Sequence, residues 1–188
     1  MKKIFYGAWE VFEVLFIALV AVAAIKYFLI QPFIVNGASM EPNFYNGDYL
    51  LVDEISYNFK DPSRGDVIVF RAPQNPSVYY IKRIVGLPGE KIEINDDSVK
   101  IYDKENLFGF EIDEPYLQNK KGIWGGHASM TLKDGQYFVL GDNRLNSLDS
   151  RYWGALNKAD IIGLVKLRLW PINDFSIFRS VKYSTLSS

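Results

Sequence analysis

Apolar positions along the chain follow two regimes. From Trp9 to Ile30 they run almost without a break, whereas from residue 31 onward they come in short runs separated by turn residues. The first regime holds the uncharged stretch VLFIALVAVAAI (14–25), with Glu10 and Glu13 near one end and Lys26 near the other. A bilayer needs about 20 mostly apolar residues, and 9–30 supplies them when those charges reach toward the interfaces. The pattern predicts one N-terminal transmembrane helix within residues 1–30. Lys2 and Lys3 put the N-terminus in the cytoplasm and the rest of the chain outside it. The rival reading is a cleavable signal peptide, because AVAA (21–24) offers small residues after a short apolar core. Apolar and aromatic residues continuing to Ile30 favour a retained anchor. Both readings export the remainder of the chain.

The second regime is β-like. QPFIV (31–35) leaves the apolar segment in extended form, with Pro32 opposing further helix. DYLLVDEIS (48–56) and DVIVFRA (66–72) are rich in branched residues and bounded by NG and RG turns. VYYIKRIVG (78–86) and EKIEIN (90–95) flank an LPG turn, and SVKIYD (98–103) completes a hairpin with EKIEIN. Residues 104–130 read as a variable excursion of mixed polarity. QYFVLGDN (136–143) and IIGLVKLRLW (161–170) are the last strands before Pro171, and 176–188 is a polar tail. Short strands with no amphipathic helix predict a mainly β, antiparallel domain over 31–175.

Composition narrows the chemistry. The 188 residues carry a formal charge of −1, so no basic face for nucleic acid is implied. There is no cysteine, which removes thiol catalysis, disulfides and Cys-based metal sites. The single histidine, His127, lies in a glycine-rich loop and reads as a surface residue, so neither a metal nor a cofactor is expected. RGD (64–66) leads straight into a strand and reads as its entering turn rather than an adhesion motif.

A serine is displayed where the two regimes meet. NGASMEPNFYNGD (36–48) places Ser39 on a turn between Gly37 and Pro42. With one histidine in the chain, the alternative base is a lysine, which works only when neutral and therefore desolvated. Lys82 stands out: in VYYIKRIV it shares a strand face with Val78, Tyr80 and Ile84, while Arg83 shares the other with Tyr79, Ile81 and Val85. Such a lysine is either snorkelling at an edge or buried for a reason. GDNRLNSLDSRYWG (141–154) gathers carboxylates, amides, hydroxyls and guanidinium groups just after an apolar strand. Its bland reading is a solvated loop. Its functional reading pairs Asp149 with Arg151 and lets Ser147 orient the lysine amine.

Together these segments resemble the type I (leader) signal peptidases, a serine-lysine family of membrane-anchored proteases. GASMEPNF resembles the family's nucleophile box, RGDVIVF its Gly-Asp strand box, YYIKRIVGLPGE its base box and GDNRLNSLDSRYWG its last box. The resemblance implies Ser39 as nucleophile, Lys82 as general base, Ser147 orienting Lys82, and Asp149–Arg151 as a structural ion pair. Arg83 and Asp142 match charged positions that support the site. The Ser39 backbone N–H is the natural oxyanion donor. Some members carry a serine two residues before the nucleophile as a second donor, where this chain has Gly37. The implied partners are exported preproteins and the lipid bilayer, and the implied location is the cytoplasmic membrane.

Phe33, Val35, Met40, Leu50, Tyr80 and Ile81 flank the serine or the lysine and are expected to contact substrate. The resemblance implies alanine-sized residues one and three before the cut. Phe33, Met40 and Phe44 are expected to form an apolar rim near the bilayer. The competing assignments are a specialised maturation or conjugation peptidase of the same fold and an inactive membrane-tethered β-domain.

Overall fold

A computed structural model of the chain describes residues 9–20, 30–95, 98–117, 127–178 and 185–186. Residues 9–20 form a helix, α1, exposed along its described length. Its apolar side chains lie on every side, with Trp9, Val11, Leu15 and Leu19 each at least 60% exposed, so it has no single stripe to lay on a core. Among the described residues no helix is long and apolar enough to cross a membrane. The predicted span 9–30 falls partly, at 21–29, outside the described residues, as do Lys2 and Lys3.

The strands come in the predicted antiparallel style. They are β1 (Ile30–Ile34), β2 (Tyr49–Asp53), β3 (Val67–Ala72), β4 (Asn75–Gly86), β5 (Lys91–Ile94), β6 (Val99–Tyr102) and β7 (Phe110–Ile112). After these come β8 (Ala128–Thr131), β9 (Gln136–Leu140), β10 (Leu156–Asn157), β11 (Ile161–Trp170), β12 (Ser176–Ile177) and β13 (Thr185–Leu186). Two one-turn helices intervene, α2 (Ser56–Phe59) and α3 (Ser150–Trp153). An eight-stranded sheet runs β1-β2-β11-β3-β4-β9-β10 with β12 on β11, and a five-stranded sheet runs β13-β7-β6-β5-β8. The expected hairpin is β5–β6, with Ile94 opposite Val99. The stretch read as an excursion supplies β7 and the start of β8, and its residues 118–126 lie outside the described set.

Strand β3 shows why the site is rigid. Val67, Ile68, Val69 and Phe70 are all buried, which explains a run with no polar alternation. Val67 and Val69 enter a core with Val35, Leu50 and Val165, while Ile68 and Phe70 enter another with Ile84, Tyr137 and Val139. Each such burial is worth about 1.5–3 kcal/mol. β4 is laid on this spine with Lys82 opposite Ile68 and Arg83 opposite Val67. Gly65 at φ +91 turns the chain into β3, and the Gly65 N–H donates to Ile84 O at 2.8 Å, so the RGD segment is a strand entry.

The expected rim needs correction. Met40 and Phe44 are 0% and 1% exposed, not at the surface. The turn after Ser39 closes through Asn43 and Phe44 N–H groups donating to Met40 O at 3.0 Å, which rolls both side chains beneath the sheet. There Phe44 meets Phe178, with ring centroids 4.6 Å apart. The exposed apolar row lies elsewhere, across the edge of the large sheet. Ile34 is opposite Tyr49 and Tyr49 opposite Trp170, and their exposures are 58%, 44% and 53%.

Candidate active site

Ser39 stands on a loop held closed at its base. The Val35 N–H donates to Asp48 O and the Gly47 N–H to Val35 O, both at 2.9 Å, so 36–46 must bulge outward. Gly37 opens the bulge at φ +99, and its N–H donates to Asn46 Oδ1 at 2.9 Å. Only glycine takes that backbone without strain. A Cβ at Gly37 would meet nothing within 4 Å, so conformation rather than space dictates the residue.

The loop after β9 abuts this turn from the other side. The Asn143 N–H donates to Ser39 O and Asn143 Nδ2 to Ala38 O, both at 3.0 Å. Gly141 allows the approach: a Cβ there would lie 2.5 Å from Ser39 O and 2.2 Å from Ser147 Oγ.

Lys82 comes to Ser39 from the sheet. It is 4% exposed, with Nζ 2.7 Å from Ser39 Oγ and donating to Ile81 O at 2.8 Å. The nearest ring is Tyr80, 5.6 Å from Nζ. Burial pushes the ammonium down from the usual 10.5 to about 8, against a smaller upward pull from Asp149 and Asp142. The lysine is buried, not snorkelling. Such an amine is neutral often enough near neutral pH to take a hydroxyl proton.

The supporting charges are locked in pairs. Arg83 Nε and Nη2 donate to Asp142 Oδ1 and Oδ2 at 2.9 and 2.7 Å, and Nη1 donates to Gly65 O at 2.9 Å. Arg151 Nε and Nη2 donate to the two Asp149 oxygens at 2.8 Å, and Asp149 Oδ2 also accepts the Gly141 N–H at 3.0 Å. Ser147 departs from expectation. Its Oγ is buried but bonds neither Lys82 nor any other described group, while the amine meets Ser39 Oγ and Ile81 O.

A cavity of about 220 Å³ opens at Ser39 and Lys82. Phe33, Val35, Leu50, Tyr80 and Ile81 line it, while Met40 does not, being sealed in the core. Tyr79 and Leu148, missed in the sequence, also line it. Within this lining the Phe33 and Tyr79 rings meet edge to face at 5.5 Å. Among the described residues no group of three His, Asp or Glu side chains could hold a metal ion.

Further functional candidates escaped the sequence reading. Arg144 and Glu114, both about 4% exposed at the side chain, pair through Nη1–Oε2 at 2.9 Å and Nη2–Oε1 at 2.5 Å. Arg144 Nε also donates to Gly141 O at 3.0 Å, so a residue of the supposed excursion braces the loop beside Ser39. Asn43 Nδ2 donates to Asp142 Oδ2 at 2.8 Å. Nothing local flags Glu114: its partner is 30 residues away.

Residues 8–170 match the family profile described as signal peptidase, peptidase S26. The chain belongs to the signal peptidase family. Signal peptidase I of Bacillus caldolyticus is 36% identical over 173 residues, covering 86% of this chain and 91% of that protein. Signal peptidase IB of Staphylococcus aureus strain Mu50 is 34% identical, covering 85% of this chain and 87% of its own length. A crystal structure of a signal peptidase I from Enterococcus faecalis V583 aligns with a TM-score of 0.48 and 34% identity. That alignment covers 56% of this chain and 97% of the solved one. Family membership makes this chain a peptidase.

Proposed function

We propose that this signal peptidase is a membrane-anchored serine endopeptidase that removes N-terminal signal peptides from exported preproteins. Ser39 is the nucleophile and Lys82 the general base. The observation that carries the reading is the 2.7 Å separation of Ser39 Oγ from a lysine Nζ that is buried and, among the described residues, has no carboxylate in salt-bridge contact. In its neutral form Nζ accepts the Ser39 hydroxyl proton as Oγ attacks the scissile carbonyl carbon. The carbonyl oxygen becomes an oxyanion beside the Ser39 N–H. The Lys82 ammonium then gives its proton to the departing amine, leaving the signal peptide esterified on Oγ. Water loses a proton to Lys82 as it attacks that ester, and the Lys82 ammonium returns the proton to the departing Ser39 Oγ, which frees the signal peptide with its new carboxyl end.

Substrate class is suggested by the cavity and its setting. About 220 Å³ shared between aromatic and branched walls suits small side chains, in keeping with alanine near the cut. The exposed row Ile34–Tyr49–Trp170 lies on the strand that succeeds the apolar N-terminal segment and on the next two strands of the sheet. Tyrosine and tryptophan favour the membrane–water interface, which supports a catalytic domain held against a membrane surface.

Incubating the purified full chain with an exported preprotein, beside a Ser39→Ala variant, tests the reading. Cleavage at the signal junction by the native chain alone is expected. Equal cleavage by Ser39→Ala, or none by either, would overturn it.

A further inference from the structure

We infer that Asn143 is a positioning residue whose side-chain amide aims the Ser39 backbone N–H at the reacting carbonyl oxygen. The inference rests on the Ser39 assignment above and adds a residue to it. Asn143 Nδ2 donates to Ala38 O at 3.0 Å. In a trans peptide the carbonyl and the following N–H point in opposite directions. Holding the Ala38 carbonyl toward Asn143 therefore turns the Ser39 N–H away from Asn143. That N–H has no acceptor among the described residues, which leaves it available to a reacting carbonyl. The Asn143 N–H takes the next carbonyl, Ser39 O, at 3.0 Å, so two successive peptide planes are gripped by one residue.

The grip has a rigid mounting. Asn143 lies between Asp142, clamped by Arg83, and Arg144, clamped by Glu114. Its own carbonyl accepts the Asn146 N–H at 3.0 Å, closing the loop behind it. The Ala38 carbonyl also receives the Glu41 N–H, at 3.2 Å, which shapes the turn from within. The Asn143 amide supplies the sideways pull from outside. Donation to a carbonyl also polarises its peptide and strengthens the N–H on the far side. This matters more here because Gly37 has no hydroxyl to offer as a second donor. The Ser39 N–H must then be well aimed.

The test uses the full chain and its Asn143→Ala and Asn143→Asp variants. Alanine deletes the donor but leaves the backbone bond to Ser39 O. Aspartate keeps the shape and replaces the donor by a carboxylate that repels the Ala38 carbonyl. Losing an oxyanion donor outright lowers turnover by about 10²–10³-fold, so losing its orienter should lower kcat by about 10–100-fold with KM within about twofold. Two ligands separate aim from general damage. A substrate-derived peptide aldehyde, which forms an oxyanion adduct on the serine, should lose affinity by the same factor as kcat/KM. The same peptide with a reduced scissile bond, which has no carbonyl oxygen there, should bind within about twofold of native. Aspartate should lose at least as much as alanine. Unchanged turnover in either variant, or equal loss for both ligands, overturns the inference. Should alanine prevent folding, the aspartate variant alone gives the same ligand comparison. A native chain that cleaves nothing would instead overturn the Ser39 assignment.

Discussion

Two buried cations sit side by side on β4 and are treated in opposite ways. Arg83 meets Asp142 through two parallel hydrogen bonds, gives a third to Gly65 O and stacks 4.0 Å over Tyr116. Lys82, equally buried, is given a hydroxyl and a carbonyl, and carboxylates reach it only from beyond contact distance. A paired guanidinium stays charged and holds two segments together. An unpaired amine is made uncomfortable when charged, and that discomfort is what leaves enough of it neutral to take up a proton at working pH. Neighbouring positions in one strand are thus divided between a locked ion pair and an amine fit for proton transfer by what the rest of the fold brings to each face.

The sharpest break of this comparison is Lys82→Met. Turnover of a preprotein should fall by about 10⁴-fold, since base catalysis alone is worth up to that. The variant should nevertheless be more stable than native at pH 7, by up to roughly 3 kcal/mol, because a buried charge with a depressed pKa is removed. Denaturant melts beside an activity assay check both signs. A variant that is unfolded, or that still turns over, would dissolve the contrast.

Arg83→Met should do the reverse. It strands the Asp142 carboxylate, which is 0% exposed at the side chain, without its cation. Removing one partner of such a pair destabilises by about 3–5 kcal/mol. Activity should fall only as far as folding does, so a variant that folds normally but is dead would move Arg83 into the chemistry.

The pH dependence distinguishes the two faces more finely. Turnover should rise as pH passes about 8 and then level, as Lys82 loses its proton. Stability carries the opposite linkage from a salt bridge. Below about pH 8 both folded and unfolded chains hold the Lys82 proton, and the folded state bears the full penalty of its burial. Between about 8 and 10.5 the unfolded chain binds more protons, so stability gains with pH. That gain should be absent in Lys82→Met, measured as the difference between the two proteins' pH–stability curves. A flat activity profile would remove Lys82 as the base.

Gly37→Ala and Gly37→Ser should behave alike. The φ of +99 penalises any side chain by about 1–3 kcal/mol, although space is free. Serine therefore adds strain before it can add a hydroxyl donor, and turnover should drop in both. Serine outperforming native would show that the backbone tolerates a side chain and that a second donor was wanting. The smallest effect is expected at the exposed row. Trp170→Ser should weaken binding of the full chain to vesicles by about 1 kcal/mol, or fivefold, with soluble-peptide turnover unchanged.

Features that depend on chain neighbours were legible before any folding. Turn residues and branched runs marked β2, β3, β4, β5, β6, β9 and β11, because strand and turn preferences are local. Asp149 and Arg151, two residues apart, announced their own pairing, and the serine and lysine boxes named the family. Short or irregular pieces such as β7, β10 and β12 carried no such signal. Burial and approach, by contrast, were settled only in the folded chain. Met40 looked like a rim residue until its turn rolled it under the sheet, and Lys82 was either snorkelling or buried until β3 lay beneath it. Glu114, Asn143 and Asn43 are ordinary polar residues whose partners are 30, 105 and 99 positions away. Solvation and hydrogen bonding depend on what occupies the space around a group. In this fold that space is filled by chain remote in sequence, so the proton affinity of Lys82 and the aim of the Ser39 turn exist only once the sheets have closed.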